Sequence, residues 1–261
     1  MPKQSENKRQ SESSEGGVDA VDRAMQILSA FTRQAGTLGL HELANRTGFY
    51  KSTLLRLLKS LEKAGMIQRR PDKMFVLGPE VIRLSAVFQH NYSLADSIRP
   101  VLKHIIEVTG ESASFFVRQG DQRMCLLREN SPRSIRHHAI EGDVMPLNMG
   151  SSGRVLTEFR DIRADDIPVR LLRALPYVAF GEFDPEITGI SAPVFSMDNS
   201  LTGALSLSGP THRFTARAVA EYKVLVLASA REISEILGAN TRDAKAASAA
   251  AKPVGKRATP R

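Results

Sequence analysis

Apolar positions recur along this chain with a spacing that changes from segment to segment. From Val18 they fall at helical intervals: Val21, Ala24, Met25, Leu28 and Phe31 predict one face of a helix, broken by Gly36 and Gly39. Leu40, Leu43 and Ala44 predict a short second helix, stopped by Gly48. In GFYKSTLLRLLKSLEKAG (48–65), Leu54, Leu55, Leu57, Leu58 and Leu61 predict a buried stripe on a third. Two short apolar runs follow, Met66-Ile67 and Met74-Phe75-Val76-Leu77. They flank the charged turn Arg69-Arg70-Pro71-Asp72-Lys73 and predict a small β-hairpin.

Helix, helix, turn, helix, hairpin is the order of a winged helix-turn-helix. After Gly78, Pro79 suits the start of a further helix, with Val81, Ile82, Leu84, Ser85 and Phe88 on one side, reaching about Tyr92. It belongs to neither core and reads as a connector. Residues 94–109 predict another helix, in which Pro100 suggests a bend or break. From Ser112 the spacing turns strand-like: SASFFVRQ and RMCLLREN flank a Gly120-Asp121 turn, and SIRHHAI and VMPLN read as further strands. GSSGRVLTEF returns to a helix, and RLLRAL reads as a helical turn ending at Pro176. GISAPVF and the run before Gly209 are strands joined by an Asp198-Asn199 turn. Residues 215–237 form a long amphipathic helix, with Ala218, Tyr222, Leu225, Ser229, Ile233 and Ile236 along one side.

The expected fold is α+β: an N-terminal winged helix-turn-helix domain (18–78), a linker helix (79–92), and a C-terminal effector-type domain (93–238) with a largely antiparallel sheet. Residues 1–17 and 239–261 are too polar or too low in complexity to bury a core, and read as disordered tails. The first residues lack the apolar stretch of a secretory signal, and no run approaches the ~18 apolar residues of a membrane span. One cysteine, Cys125, excludes an internal disulfide and a cysteine zinc cluster; it reads as a buried small hydrophobe. A reducing cytoplasm is the expected setting. His137-His138 has no Cys, Asp or Glu set to complete a metal site, so no metal or cofactor is expected, and the pair reads as ordinary polar residues.

Charge sharpens the picture because it is uneven. Residues 1–90 hold 14 Lys and Arg against 9 Asp and Glu, and residues 240–261 hold 6 against 1, while 91–239 hold 16 against 18. Residues 46–73 alone carry eight cations and two acids. A polyanion partner suits such a local footprint. The polar side of 48–65 has Lys51, Ser52, Thr53, Arg56, Lys59, Ser60 and Lys63, with no carboxylate before Glu62.

These residues resemble the IclR-type bacterial transcriptional regulators. VDRAMQILSAF, LHELANRTGFYKSTLLRLLKSLEKAGMIQRR, FVLGPEVIRL, TGESASF, MPLNMGSSGRVL, GISAPVF, ALSLSGP and AREISEILG occur in the family's order over about 220 residues. The resemblance implies a DNA-binding winged helix joined through a linker helix to a GAF/PAS-like effector domain. It also implies a homodimer or dimer of dimers on a palindromic operator, and repression more often than activation until a small metabolite binds. There are departures. Where the family commonly has His-Ala-Thr-Ala-x-Gly-Lys, this chain has Asn148, Met149, Gly150, Ser151, Ser152, Gly153 and Arg154, and the segment before GISAPVF is shorter than usual.

The second helix of a helix-turn-helix presents its first turns to base edges in the major groove. Those positions are Lys51, Ser52, Thr53 and Arg56, with Ser52 alternatively an N-cap; arginine can bond guanine bidentately, and hydroxyls hold phosphates. Arg69, Arg70 and Lys73 lie at the wing, where phosphate or minor-groove contact adds affinity without discrimination. By resemblance Arg23 touches the DNA backbone or minor groove; a surface ion pair with Asp19 is the alternative.

For the effector, Gly150, Ser151 and Ser152 stand at a helix start, where free amides and hydroxyls attract a carboxylate, and Met145, Leu147 and Met149 offer an apolar wall. Ser206 and Ser208 alternate on a strand and face one side. The resemblance implies that both groups contact the effector and that Ile187 and Gly189 edge the pocket. An acidic or aromatic metabolite is the expected class. Two rivals stand beside this reading: a constitutive architectural DNA-binding protein, and an enzyme using Ser151 or Ser152. The latter has no GxSxG elbow and no evident base partner, so no catalytic residue is assigned.

Overall fold

The computed structural model describes residues 17–32, 34–91 and 94–240, and the expected tails at 1–17 and 239–261 lie outside it apart from residues 17, 239 and 240. The chain divides into two compact units at residues 92 and 93.

In the first unit, α1 (Asp19–Ser29), α2 (Leu40–Thr47) and α3 (Lys51–Lys63) pack with strands β1 (Thr37–Leu38), β2 (Ile67–Arg69) and β3 (Phe75–Leu77); α4 (Pro79–Asn91) follows. The strands form an antiparallel sheet in the order β1-β3-β2, with Leu38 and Arg69 both registered on Phe75. The core is Ile27, Leu38, Leu43, Leu54, Leu58, Leu61, Ile67 and Phe75. Gly48 ends α2 in the left-handed conformation, φ 73°, which costs glycine little.

Three expectations need correction. Leu55 is 48% exposed: neighbours on a helix are ~100° apart, so a stripe through Leu54, Leu58 and Leu61 turns it outward. The buried side of α1 is Ala24, Ile27, Leu28 and Phe31. Val18, Val21 and Met25 form a separate exposed stripe. Ser52 is not the cap of α3, because Tyr50 occupies that position without a side-chain hydrogen bond. Strand β1 has only two residues between glycines, too short for periodicity to register.

The second unit contains α5 (Leu94–Thr109), β4 (Ser112–Gln119), β5 (Gln122–Glu129), β6 (Val144–Pro146), α6 (Gly150–Glu158), α7 (Val169–Ala174), β7 (Tyr177–Phe180), β8 (Ile187–Phe195), β9 (Leu201–Pro210), a 3-10 turn (Thr211–Arg213) and α8 (Ala216–Ile236). Six antiparallel strands run in the order β6-β5-β4-β9-β8-β7. One face packs against α5 and α8 through Ile98, Leu102, Ile105, Phe115, Ile190, Leu205, Leu207, Val226 and Ile233. The other packs against α6 and α7 through Phe116, Cys125, Leu156, Phe159, Tyr177, Phe195 and Ala204. Both faces being covered, β8 and β9 are buried almost throughout instead of alternating.

Helix α5 continues through Pro100 to Thr109, its buried stripe of Ile98, Val101, Leu102 and Ile105 spanning the proline. Residues 134–140 are not a strand. Arginines take their carbonyls: Arg128 donates to His137 O at 2.7 Å and Arg213 to Ile135 O at 3.1 Å. Ile236 is 52% exposed, and α8 buries Val226, Ser229, Ala230, Ile233 and Ser234. The chain stays packed slightly beyond the expected tail boundary, since Ala239 is buried and the Asn240 amide donates to Asn199 Oδ1 at 2.9 Å. Among the described residues no helix is long and apolar enough to cross a membrane, and no cluster of His, Cys, Asp or Glu could hold a metal.

Candidate functional site

Two constellations stand out, one in each unit. In the first, α3 carries Lys51, Ser52, Arg56, Lys59 and Ser60 exposed and Thr53 half-buried. Its first turn holds no acid, so the positive end of the helix dipole adds to the side-chain charge. Among the described residues, Lys51, Arg56, Lys59 and Lys63 are in no ion pair. Thr53, Arg56 and Ser60 share a groove of about 310 Å³ with Asp19 and Arg23 of α1. Arg23 both pairs with Asp19, Nε to Oδ1 at 2.8 Å, and lies over the Phe49 ring at 5.7 Å. The ion pair and a place in the Arg56 groove are therefore compatible.

At the hairpin, Arg69 stacks over Phe75 at 5.6 Å and Arg70 lies 3.5 Å from Asp72. Lys73 takes the left-handed turn position, φ 66°. Its amide donates to Arg70 O at 2.9 Å. The Arg70–Asp72 pair is half-exposed and holds Arg70 only weakly.

In the second unit, a pocket of about 50 Å³ opens between the sheet, the start of α6 and the loop after β7. Gly150, Ser151, Ser152, Ile187, Gly189, Ser206 and Ser208 all line it. Leu147 does not; it is buried in the core beneath, with Val155 and Phe159. Met145 forms part of the wall and Met149 does not. The register brings the serines together: Ser206 pairs with Ser191, and Ser208 with Gly189. Ser151 Oγ lies 2.8 Å from Ser191 Oγ. A Cβ at position 189 would come within 2.9 Å of Ser151 Oγ, so glycine there makes room for this approach.

Sequence reasoning missed three ionisable residues that line this pocket, Arg123, His137 and Glu182. Arg123 on β5 is only 3% exposed. Its Nη1 donates to Pro146 O at 2.7 Å and to Met149 O, holding the loop that opens α6. Gly153 allows that loop to close down, since a Cβ there would collide with Leu147 O and Arg123 Nη1. The guanidinium lies between the Phe116 and Phe183 rings, 5.7 Å from each. Its Nε is buried without a partner. Burial pushes its pKa down to about 10, because no carboxylate offsets the lost hydration. An unpaired buried N–H on a cation costs free energy that an anion could recover.

His137 reaches the pocket from the irregular 134–140 segment, with Nδ1 3.0 Å from Ser208 Oγ. Burial, then the Arg128 charge, pushes its pKa down to about 4, so the ring is neutral at pH 7. No strand pattern could have aimed His137 here, and Arg123 sat unmarked at the polar start of β5, just before its apolar run. Cys125 is fully buried, and burial pushes its thiol up to about 12, as a small core residue behaves.

The amides at the start of α6 are not all free, contrary to expectation. Met149 cannot cap the helix, and the Gly150 N–H donates instead to Glu182 Oε2 at 3.2 Å. The segment 161–189 thus contributes α7, β7 and a loop over the pocket.

Comparison with known proteins bears on both units. Residues 20–71 match the IclR helix-turn-helix domain, and residues 178–235 match the bacterial transcriptional regulator IclR C-terminal domain. The chain belongs to the IclR family. Among relatives, the HTH-type transcriptional regulator BhcR of Paracoccus denitrificans is 29% identical, over 84% of this chain and 87% of that protein. The HTH-type transcriptional repressor AllR of Klebsiella pneumoniae is 23% identical, over 88% of this chain and 94% of that one. A crystal structure of an IclR homolog from Microbacterium hydrocarbonoxydans, complexed with 4-hydroxybenzoate, has the same fold. Its TM-score is 0.67 at 19% identity, covering 84% of this chain and 98% of that one. This IclR-family chain is accordingly a transcriptional regulator with a DNA-binding helix-turn-helix domain.

Proposed function

We propose that the protein is a repressor whose hold on a palindromic operator is controlled by a small carboxylic acid bound in the Arg123 pocket. The observation that carries the effector half is the unpartnered Nε of a buried arginine in a pocket also lined by serine hydroxyls and by the start of α6. Such a set favours a carboxylate with a second polar group near it. The volume, about 50 Å³, favours a compact acid over an aromatic one, since a cavity that takes benzene measures roughly 150 Å³. The 4-hydroxybenzoate complex of a protein with this fold supports a carboxylate, and the repressor name of AllR supports the direction of control.

For the DNA half, Lys51, Ser52, Thr53 and Arg56 read the major groove, and Arg69, Arg70 and Lys73 hold phosphates beside it; Arg23 adds a backbone contact. One recognition helix reads only a few base pairs, so two chains on a symmetric site supply useful specificity. The exposed Ile82, Leu84 and Val87 of α4 support the linker helix as the dimer contact, with a dimer of dimers as the larger assembly.

The test is footprinting on genomic fragments with and without a panel of two- to four-carbon carboxylates, benzoate and 4-hydroxybenzoate. A discrete palindrome released by a compact acid is expected. Uniform coverage of DNA would favour the architectural reading, and turnover of an added acid would favour an enzyme.

A further inference from the structure

From the Glu182 contact we infer that this chain carries its own competitor for the effector: the Glu182 carboxylate stands where a ligand's carboxylate would bind. The inference rests on reading the pocket as a carboxylate site. The start of α6 is without a side-chain cap of its own. A helix N-terminus so left attracts an anion. The anion it meets is Glu182, 32 residues further along the chain, with Oε2 3.2 Å from the Gly150 amide. The next residue, Phe183, lies over the Arg123 guanidinium. One short loop thus covers both groups that would grip an anion, the α6 amide with a carboxylate and the buried cation with a ring.

The loop is built to present these two side chains as a unit. The Gly181 amide donates to Ile187 O at 3.0 Å, and the Ile187 amide to Asp184 O at 2.9 Å. Asp184 Oδ1 accepts from the Glu186 amide at 2.9 Å, and Glu186 O accepts from the Thr211 amide at 2.7 Å. Glu182 and Phe183 themselves are exposed on their outer sides. Their contacts with the pocket can be exchanged for a ligand without unfolding the loop. Arg123 provides an independent sign that the site awaits an anion, since its Nε is buried and unpartnered while Glu182 bonds to the amide. A bound carboxylate must therefore displace Glu182 from Gly150 before it can use both grips. The cost of that exchange sets the effector concentration at which the regulator responds.

The probe is acetate, with acetamide as the neutral control, titrated into the full-length protein and its Glu182→Gln variant while backbone amide spectra are recorded. Gln keeps the size of the side chain and removes its charge. The variant is expected to bind acetate about two- to five-fold more tightly, the fold-change of an exposed anion at a helix N-terminus. Its Gly150 amide resonance should already be displaced before acetate is added, and acetamide should distinguish the two proteins little. Equal or weaker acetate binding by the variant, with wild-type protein still binding acetate through Gly150 and Ser151, would overturn the competition and leave the pocket reading standing. Failure of both proteins to respond to acetate would overturn the pocket reading, and the competition with it.

Discussion

Replacing Arg123 by methionine separates what this residue does for the fold from what it does for a ligand. Arg123 is 3% exposed, and burial holds its pKa at about 10 instead of the usual 12.5. That lowering corresponds to about 3 kcal/mol of unfavourable burial of charge. Methionine removes this cost and keeps the bulk between Phe116 and Phe183. It also strands the carbonyls of Pro146 and Met149, at about 1–3 kcal/mol. The two terms oppose each other, so the Arg123→Met protein should fold cooperatively within ~2 kcal/mol of the parent. Carboxylate binding should not survive so well. A carboxylate on Nε gains a charge-assisted bond to a buried cation, ~1.5–3 kcal/mol, or about ten- to 150-fold in Kd. Denaturant titration measures the first quantity and calorimetric titration with the acid that releases the operator measures the second. If the variant unfolds normally and binds that acid within threefold of the parent, Arg123 is not the anion receptor.

The remaining expectations concern the DNA surface, pH and a buried ion cluster. Arg56→Ala should weaken operator binding by about 1–3 kcal/mol with little change on random DNA, whereas Arg70→Ala should weaken both alike and flatten the salt slope; fluorescence anisotropy across a salt series distinguishes them. His137 is held neutral by burial, with a pKa of about 4 in the fold. The unfolded chain, near the ordinary 6.5, then binds more protons between those values, so stability is full above pH 6.5 and falls as pH drops towards 4. The loss should be about 2 kcal/mol after allowing for partial exposure, and His137→Gln should remove that pH dependence from urea melts. Glu111 is fully buried, accepting from Arg133 at 2.9 Å and from Arg213 at 2.5 and 2.7 Å. Glu111→Ala should cost about 3 kcal/mol, the low end for an orphaned buried pair because Arg133 can turn to solvent; thermal unfolding would show it.

Much of the architecture was legible in the order of short motifs. The helix ends at Gly48 and Gly65, the Gly120-Asp121 turn and the Asp198-Asn199 turn are local events, encoded by residues that favour those conformations. Part of the candidate site was legible for the same reason: Gly150, Ser151 and Ser152 mark a helix start, and Ser206 and Ser208 share a strand face. Where apolar residues outnumber the positions on one helical face, periodicity alone could not choose the buried ones. Leu55, Met25 and Ile236 were assigned inward and stand outward because neighbouring elements, absent from the local pattern, select the buried side.

The sequence by itself determined that a basic helix follows a short helix and precedes a hairpin, that the positive charge gathers there, and that serines cluster around a helix start. These are properties of residue type and spacing over a few turns. Only the tertiary structure decided that Arg123 lines the same pocket as those serines, that His137 joins Ser208 across 71 positions, and that Glu182 bonds to the Gly150 amide. Each of those meetings depends on strand register and loop path, which bring together groups far apart in the chain. The chemistry of an arginine changes with the water removed from around it, and no local pattern records that loss.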